Sequence, residues 1–562
     1  MKKRFIFLFG LLILSQFVSS QNILNVESNP EFDKNIESYF PKQEKIIQQI
    51  EISSEKKAEL SNEVKTKIEK NGQAKVMVWL NQNADIDKIT KKLNNFELKH
   101  KYKSSNGFAG TITNEDFKIL EKEKQVNYIV LDQQVEAHLT QSRALIHANT
   151  SEISYSLTGK DIGVCVIDTG INQSNPYLNV IGGYDFVNND ANPMDDHGHG
   201  TSVAGVIRSN HSINRGIATK SNLIAVKVLN NTGSGFTSTI AAGIDWCVTN
   251  KDIYNISIIS MSLGTITNVY TPSTNPLTYE PSLINAYNNN IAVVASSGNA
   301  GSTTGISYPA VSPYVISVGA TWDANHTANY TFTSGSFSCT DVAPHTDKVT
   351  CYSNRASFLN IMAPGSRITT NYIGGGFVIS TGTSFAAPHV SGVIAQMLQR
   401  NKELTPYMIK SILTSNADSV TDTVTSSTYP RLNSLKSIRA VPYLTRIGNF
   451  TSNNVLNFLM HAPIDAGSTY VFALSFGNSP GVDWIDGRNV PMNFDDLLLL
   501  SINSPAAIGL SNTLGVLDSN GDANATLTIP YLPGIENVEV YGGFVAINQS
   551  GQLTTISNSV RL

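Results

Sequence analysis

For its length this chain carries little charge, and what it carries nearly cancels: 40 Lys and Arg against 44 Asp and Glu, a net of −4 in 562 residues. So small an imbalance leaves no polyelectrolyte footprint, and nucleic acid is not an expected partner. Cysteine is scarce as well. There are four, with no CxxC and no His/Cys cluster, which argues against a zinc module or a disulfide-dense miniature scaffold. Long hydrophobic runs are also missing. The clearest apolar run, residues 5–14, is too short to span a bilayer comfortably. It follows Met1-Lys2-Lys3-Arg4 and precedes Val18-Ser19-Ser20, so residues 1–20 read as a signal peptide cut after Ser20. The mature chain is therefore expected to be secreted, outside the cell or at its surface, without a membrane span.

The charge that is present is unevenly placed. Residues 21–140 hold 18 Lys/Arg and 19 Asp/Glu, whereas residues 141–562 hold 19 and 25. The first block is nearly three times as charged, and the chain is too long for one core. Four segments are expected: a leader 1–20, a charged block 21–140, a unit 141–440 and a terminal unit 441–562.

In the charged block, residues 27–71 suggest a solvated helix. Strands are expected at 75–80, 97–103, 108–112 and 128–139. Helices are expected at 85–96 and at 114–126, the second capped by Asn114. A βαββαβ order of this kind makes a small ferredoxin-like α+β domain. The next unit alternates apolar strands (162–167, 223–228, 256–261, 291–295, 315–318) with helical patterns (200–208, 238–249, 281–289). That alternation implies an α/β, doubly wound parallel sheet covered on both faces. Active groups then gather beyond the carboxyl ends of its strands. From 441 onward helical patterns vanish. Short runs at 469–475, 496–502, 525–529 and 538–547 between turn residues predict an antiparallel β-sandwich. Asp518-Ser-Asn-Gly-Asp522 resembles the start of an EF-hand loop, but Ala523 and Ile529 stand at its sixth and twelfth positions, so a hairpin turn is expected.

Chemistry concentrates in four places. Gly382-Thr383-Ser384-Phe385-Ala386 sets a serine among small residues before a helical run. There a substrate carbonyl can reach Oγ, and helix N–H groups face developing negative charge. Asp168 ends an apolar strand, His199 opens a helix in His199-Gly-Thr, and Asn299 follows the strand ending Ser296-Ser297-Gly298. Together they supply a nucleophile, a base, a group to orient the base and an oxyanion donor. An α/β-hydrolase elbow built on Ser384 needs its acid and histidine after the serine, and here both signals come before it.

The order Asp, His, Asn, Ser resembles the subtilisin-like serine proteases (subtilases) over residues 145–440. Phe385 stands where many members have Met, and Ser202 where many have His. The resemblance implies a serine endopeptidase in which Ser384 attacks, His199 transfers the proton, Asp168 orients His199, and Asn299 binds the oxyanion. His197 is the rival base, and His389 reads as structural. By the same resemblance Ser262, Leu263 and Gly264 pair with an extended polypeptide substrate. Ala295, Ser296, Ser297 and Gly298 wall the first specificity pocket, and Ser307 lies near its floor. None is acidic, which implies apolar or aromatic residues before the cut. Residues 21–140 resemble a subtilase propeptide, an intramolecular inhibitor removed by a cut between His138 and Arg143, with Glu136-Ala-His-Leu139 lying in the active site. No cofactor is implied for the chemistry. Structural calcium is a family trait for which Asp185, Asp190, Asp195 and Asp196 could supply oxygens. Cys339 and Cys351 flank a polar loop that a disulfide could close, for about 3 kcal/mol. Cys165 and Cys247 are expected as buried thiols.

Overall fold

The Lys/Glu-rich stretch ends in helix α1 (Ser54–Asn71). The computed structural model describes residues 54–562, apart from 82, 104, 133, 138–141, 266–267, 335 and 485–487. The leader and the first part of the charged block lie outside the described residues. Residues 49–399 with 405–439 form one unit, and 400–404 with 440–562 form another. Among the described residues no helix is long and apolar enough to cross a membrane.

In the charged block, β1 (Gln73–Leu80), α2 (Ile86–Thr90), β2 (Glu97–Tyr102), β3 (Gly107–Thr113), α3 (Asn114–Lys122) and β4 (Val126–Leu131) follow the expected βαββαβ order. Their sheet runs β2-β3-β1-β4, antiparallel throughout. Two details differ from expectation. α2 is one short turn instead of a helix over 85–96, because the Asp116 carboxylate takes the backbone N–H groups of Asn94 and Asn95 and turns the chain outward. The cap of α3 is Thr113 rather than Asn114, in a reciprocal capping box with Asp116. After β4 a separate strand, β5 (Gln134–Ala137), leaves this sheet.

The central unit begins with α4 (Ala148–Tyr155), β6 (Gly163–Asp168), β7 (Val180–Asp185), α5 (His199–Arg208) and β8 (Asn222–Lys227). It continues with β9 (Ser234–Phe236), α6 (Thr237–Thr249), β10 (Ile256–Met261), β11 (Leu263–Thr265), α7 (Glu280–Asn288), β12 (Ala292–Ser296) and β13 (Val315–Trp322). Last come β14 (Ile361–Asn371), β15 (Phe377–Thr381), α8 (Thr383–Arg400), β16 (Asp418–Thr421) and β17 (Thr428–Arg431). The main sheet runs β16-β17-β14-β13-β12-β10-β6-β8-β7, with β15 added to β14. From β7 to β14 every pairing along it is parallel. β6 and β12 are buried along their whole length, as strands covered on both faces must be. Strand order reverses beside β6, which puts Asp168, its last residue, at the carboxyl-end crevice where such sheets bind ligands.

The charged block packs its open sheet face on α6 and α7. Met77, Trp79, Tyr102, Tyr128 and Val130 join one core with Ile240, Ile244 and Leu283. Polar ends of these aromatics find backbone partners across the contact: Trp79 Nε1–H donates to Thr278 O, and Tyr102 O–H to Ser238 O. Asp132 accepts from Thr237 Oγ1 and from the backbone N–H and hydroxyl of Ser238, capping α6 from outside its own domain.

In the terminal unit a four-stranded and a five-stranded antiparallel sheet share a core of Leu456, Phe458, Tyr470, Phe472, Leu527 and Phe544, which makes a β-sandwich. Residues 496–502, expected as a strand, form helix α9 (Asp496–Asn503). Asp495 accepts the Leu498 N–H as its N-cap, and this local bond wins over the apolar run's strand-like pattern. Asp518 is in a turn, as expected, but not in a hairpin. Its carboxylate accepts N–H from Asn520 and Asp522, and the strands on either side belong to different sheets.

Candidate active site

Asp168 is fully buried, and its Oδ1 accepts the Thr169 N–H at 2.7 Å. The same oxygen lies 2.6 Å from His199 Nδ1. With the proton on Nδ1, Nε2 is left as the basic nitrogen. His199 opens α5 directly after Gly198, whose φ of +106° suits only glycine. That turn is held by Asp195, one of the four acidic residues considered for calcium. Asp195 accepts from Thr169 Oγ1, from the N–H groups of His197, Gly198 and Thr201, and from Thr201 Oγ1. Lys227, fully buried on β8 opposite Asp168, donates to Thr169 O, Leu229 O and Asp196 Oδ1, so all three of its protons are used. A lysine inside the apolar run Leu223–Val228 was the available signal for it.

Ser384 is the second residue of α8, at its positive dipole end. Its hydroxyl donates to Ser262 O at 3.2 Å, and Ser262 Oγ donates back to Ser384 O at 2.5 Å. Phe385 sits edge-on to the His199 ring with centroids 5.7 Å apart, so the serine's neighbour lies against the imidazole. Asn299 Oδ1 accepts from Thr383 N–H and Oγ1, at 2.9 and 2.8 Å. That fixes the amide one residue away from Ser384 and leaves Nδ2 buried without a partner. An unpaired buried donor costs about 1–3 kcal/mol, a cost that structures carry where a ligand supplies the acceptor.

Ser262 follows β10, and Leu263 and Gly264 begin β11; Ser297 and Gly298 follow β12. Ser307 touches both Gly264 and Gly298. A Cβ at Gly264 would meet its Cβ at 3.0 Å, and one at Gly298 would meet its Oγ closer still. Ala295 and Ser296 stay within β12, Ala295 in register between Met261 and Ser317. His197 is exposed, with its ring 6.4 Å from that of His199. His389 is buried, its Nδ1 2.7 Å from Phe385 O, and burial pushes its pKa down to about 4. Ser202 hydrogen-bonds Asn371 O at 2.8 Å.

All four cysteines are paired. Cys339 and Cys351 are joined, with Cα atoms 6.0 Å apart. Cys165 and Cys247, expected as buried thiols, are joined as well, at a Cα separation of 6.4 Å. They lie 82 residues apart in sequence, but α6 packs on β6 and brings them within bonding reach. Closing so long a loop stabilises the fold by about 4–5 kcal/mol in the chain-entropy account. The four acidic residues considered for calcium are committed elsewhere. Asp185 accepts from Val187 and Asn188, Asp190 from Asn192, Asp195 from its five donors, and Asp196 pairs with Lys227. Among the described residues no group of three or more His, Cys, Asp or Glu is placed to hold a metal ion, this cluster included.

Comparison with known proteins bears on the family. Residues 159–435 match the Subtilase family of peptidases, and residues 42–138 match the Peptidase inhibitor I9 family. Subtilisin E of Bacillus subtilis is 34% identical over 335 residues, covering 57% of this chain and 78% of that protein. Subtilisin of Bacillus pumilus is 37% identical over 270 residues, 47% of this chain and 86% of that one. Among solved structures, a cold adapted subtilisin-like serine proteinase aligns at 31% identity with a TM-score of 0.41, over 50% of this chain and 90% of that one. With an α/β parallel sheet, an I9-type domain ahead of it and relatives matched over most of their length, this chain belongs to the subtilase family of serine endopeptidases.

Proposed function

We propose that the chain is the precursor of an exported endopeptidase that cleaves itself and then other polypeptides through Asp168, His199, Ser384 and Asn299. In each cut the Ser384 hydroxyl adds to a peptide carbonyl as His199 takes its proton. The C–N bond breaks, the amine leaves with that proton, and water then hydrolyses the ester. Asp168 keeps the imidazole in the useful tautomer, while Asn299 Nδ2 and the Ser384 N–H receive the oxyanion. No cofactor enters these steps.

The observation that carries this reading is strand β5. It lies antiparallel between β11 and β9, with Ala137 opposite Leu263, Glu136 opposite Gly264, and Val135 opposite both Thr265 and Gly235. An extended segment adding a strand between two cleft edges is how a protease holds its substrate. Here the segment is the chain's own, which supports an inhibitory prosegment cut just after it. The pocket walls of Ser, Gly and Ala support apolar or aromatic residues before the cut, and two disulfides suit export. The test is covalent. A serine-reactive phosphonofluoridate should label Ser384 at one equivalent and stop casein digestion in step; full casein digestion with Ser384 unlabelled would overturn the proposal.

Asn299→Ala should lower kcat about 10²–10³-fold with KM little changed. That is the loss known for one such donor in subtilisin, and the magnitude is carried over from that relative. Steady-state kinetics on a chromogenic peptide would check it.

Prosegment release should depend on pH through His100. Its ring lies edge-on to Phe186 of the central unit at 5.9 Å, with Nε2 buried and unpartnered. Burial first, and the Lys99 charge second, hold its pKa down to about 4. Freed, it titrates near its ordinary value of about 6.5. Its contribution to docking is therefore complete above about 6.5 and lost as pH falls through about 4. Between about pH 8 and pH 5 the cleaved prosegment should dissociate roughly 10-fold more readily. His100→Phe should flatten that profile, read from recovery of peptidase activity at each pH.

A further inference from the structure

β5 holds the chain before residues 138–141, and a separate set of side chains holds it after them. We propose that His389 and Glu152 form a clamp on Ser142 and Arg143, the segment after the scissile stretch, and that this clamp positions the precursor for its own cleavage. The inference rests on the self-processing reading above.

His389 Nδ1–H is spent on Phe385 O, so Nε2 carries the lone pair, and it accepts the Ser142 backbone N–H at 2.7 Å. Arg143 pairs with Glu152 of α4, whose second oxygen is held by Arg215. Arg143 and Glu152 side chains are each only 15% exposed, so the pair is largely shielded from screening. Two consecutive residues are thus tied to two partners on two helices.

These ties lie close to the chemistry. His389 is five residues beyond Ser384, about 7.5 Å along the helix axis, and helical side chains lean back toward the N-terminus, here toward the serine. Upstream, Ala137 lies opposite Leu263, next to Ser262, whose carbonyl takes the Ser384 hydroxyl. Four residues connect Ala137 to Ser142, a reach of at most about 18 Å. Anchoring both ends of so short a connection makes attack on it close to unimolecular, which is where positioning contributes rate. Peptides cleaved in trans lack residues 142 and 143, so the clamp acts on the first cut alone. That cut is confined to the bonds between Ala137 and Ser142.

The test uses the full-length precursor, following its disappearance by intact mass. Matured enzyme, with its prosegment removed by added wild type, is assayed on a chromogenic peptide. Ser142→Pro removes the donated N–H and should lengthen the precursor half-life at least 10-fold. Arg143→Met should slow it several-fold, and both should keep the wild-type kcat/KM within twofold. An unchanged half-life in both variants overturns the clamp. A parallel fall in matured activity also overturns it, by assigning the contacts a purely structural role. A free peptide of residues 132–146 controls for sequence preference: if Pro at 142 slows its cleavage as much, the clamp is again overturned. A wild-type precursor that never cuts itself would instead overturn the self-processing reading, a result distinct from any of these.

Discussion

Ser384→Ala is expected to lower kcat on casein or a chromogenic peptide by about 10⁶-fold and to leave the precursor at full length. The size is that found for the corresponding serine in subtilisin, and it applies because the family and the surrounding groups agree. It reflects how the groups work together. Without Oγ, His199 has no proton to accept, and Asp168 has no imidazolium to stabilise. What remains is binding and the oxyanion donors, roughly 10³–10⁴ over water. The fold should tolerate the change. Ser384 is fully buried, alanine is smaller, and the hydroxyl's bond to Ser262 O is worth about 1 kcal/mol. The measurements are intact mass of the expressed product and turnover of a chromogenic peptide. A variant still processed in cis and still digesting casein would remove the assignment.

Asp168→Asn should cost about 10⁴-fold in kcat with KM nearly unchanged. One Asp168 oxygen serves both the Thr169 N–H and His199 Nδ1, so an amide can place its oxygen or its NH₂ there, not both. Turned toward His199, however, its NH₂ donates to Nδ1 and drives the proton to Nε2, the nitrogen that must act as base. Asp168 is fully buried behind the imidazole and does not line the peptide cleft, which is why binding should survive. A rise in KM comparable to the fall in kcat would count against this role.

How far the chain could be read in advance follows from the range of each interaction. Strands β6, β8, β10 and β12 were visible as apolar runs because burial on both faces leaves no polar alternation. The four proposed reacting groups were visible because each needs a particular residue type at an element's end. Local competition misled in two places: Asp116 ends α2 early, and Asp495 caps a helix where a strand was expected. Several contacts across long separations were not visible. Cys165 meets Cys247, Asp195 serves the turn before His199 instead of an ion, and Lys227 ties down the same loop.

The amino-acid order alone thus determined the family and the parallel sheet and pointed to the proposed reacting groups, because periodicity and small-residue motifs are properties of neighbouring residues. Only the tertiary structure decided what those groups lean on. It paired Asp168 with His199, left Asn299 Nδ2 buried and unpaired, laid β5 between β9 and β11, and set Ser142 against His389. Each of these depends on distances between residues far apart in the chain, and such distances exist only after the hydrophobic core has brought the segments together.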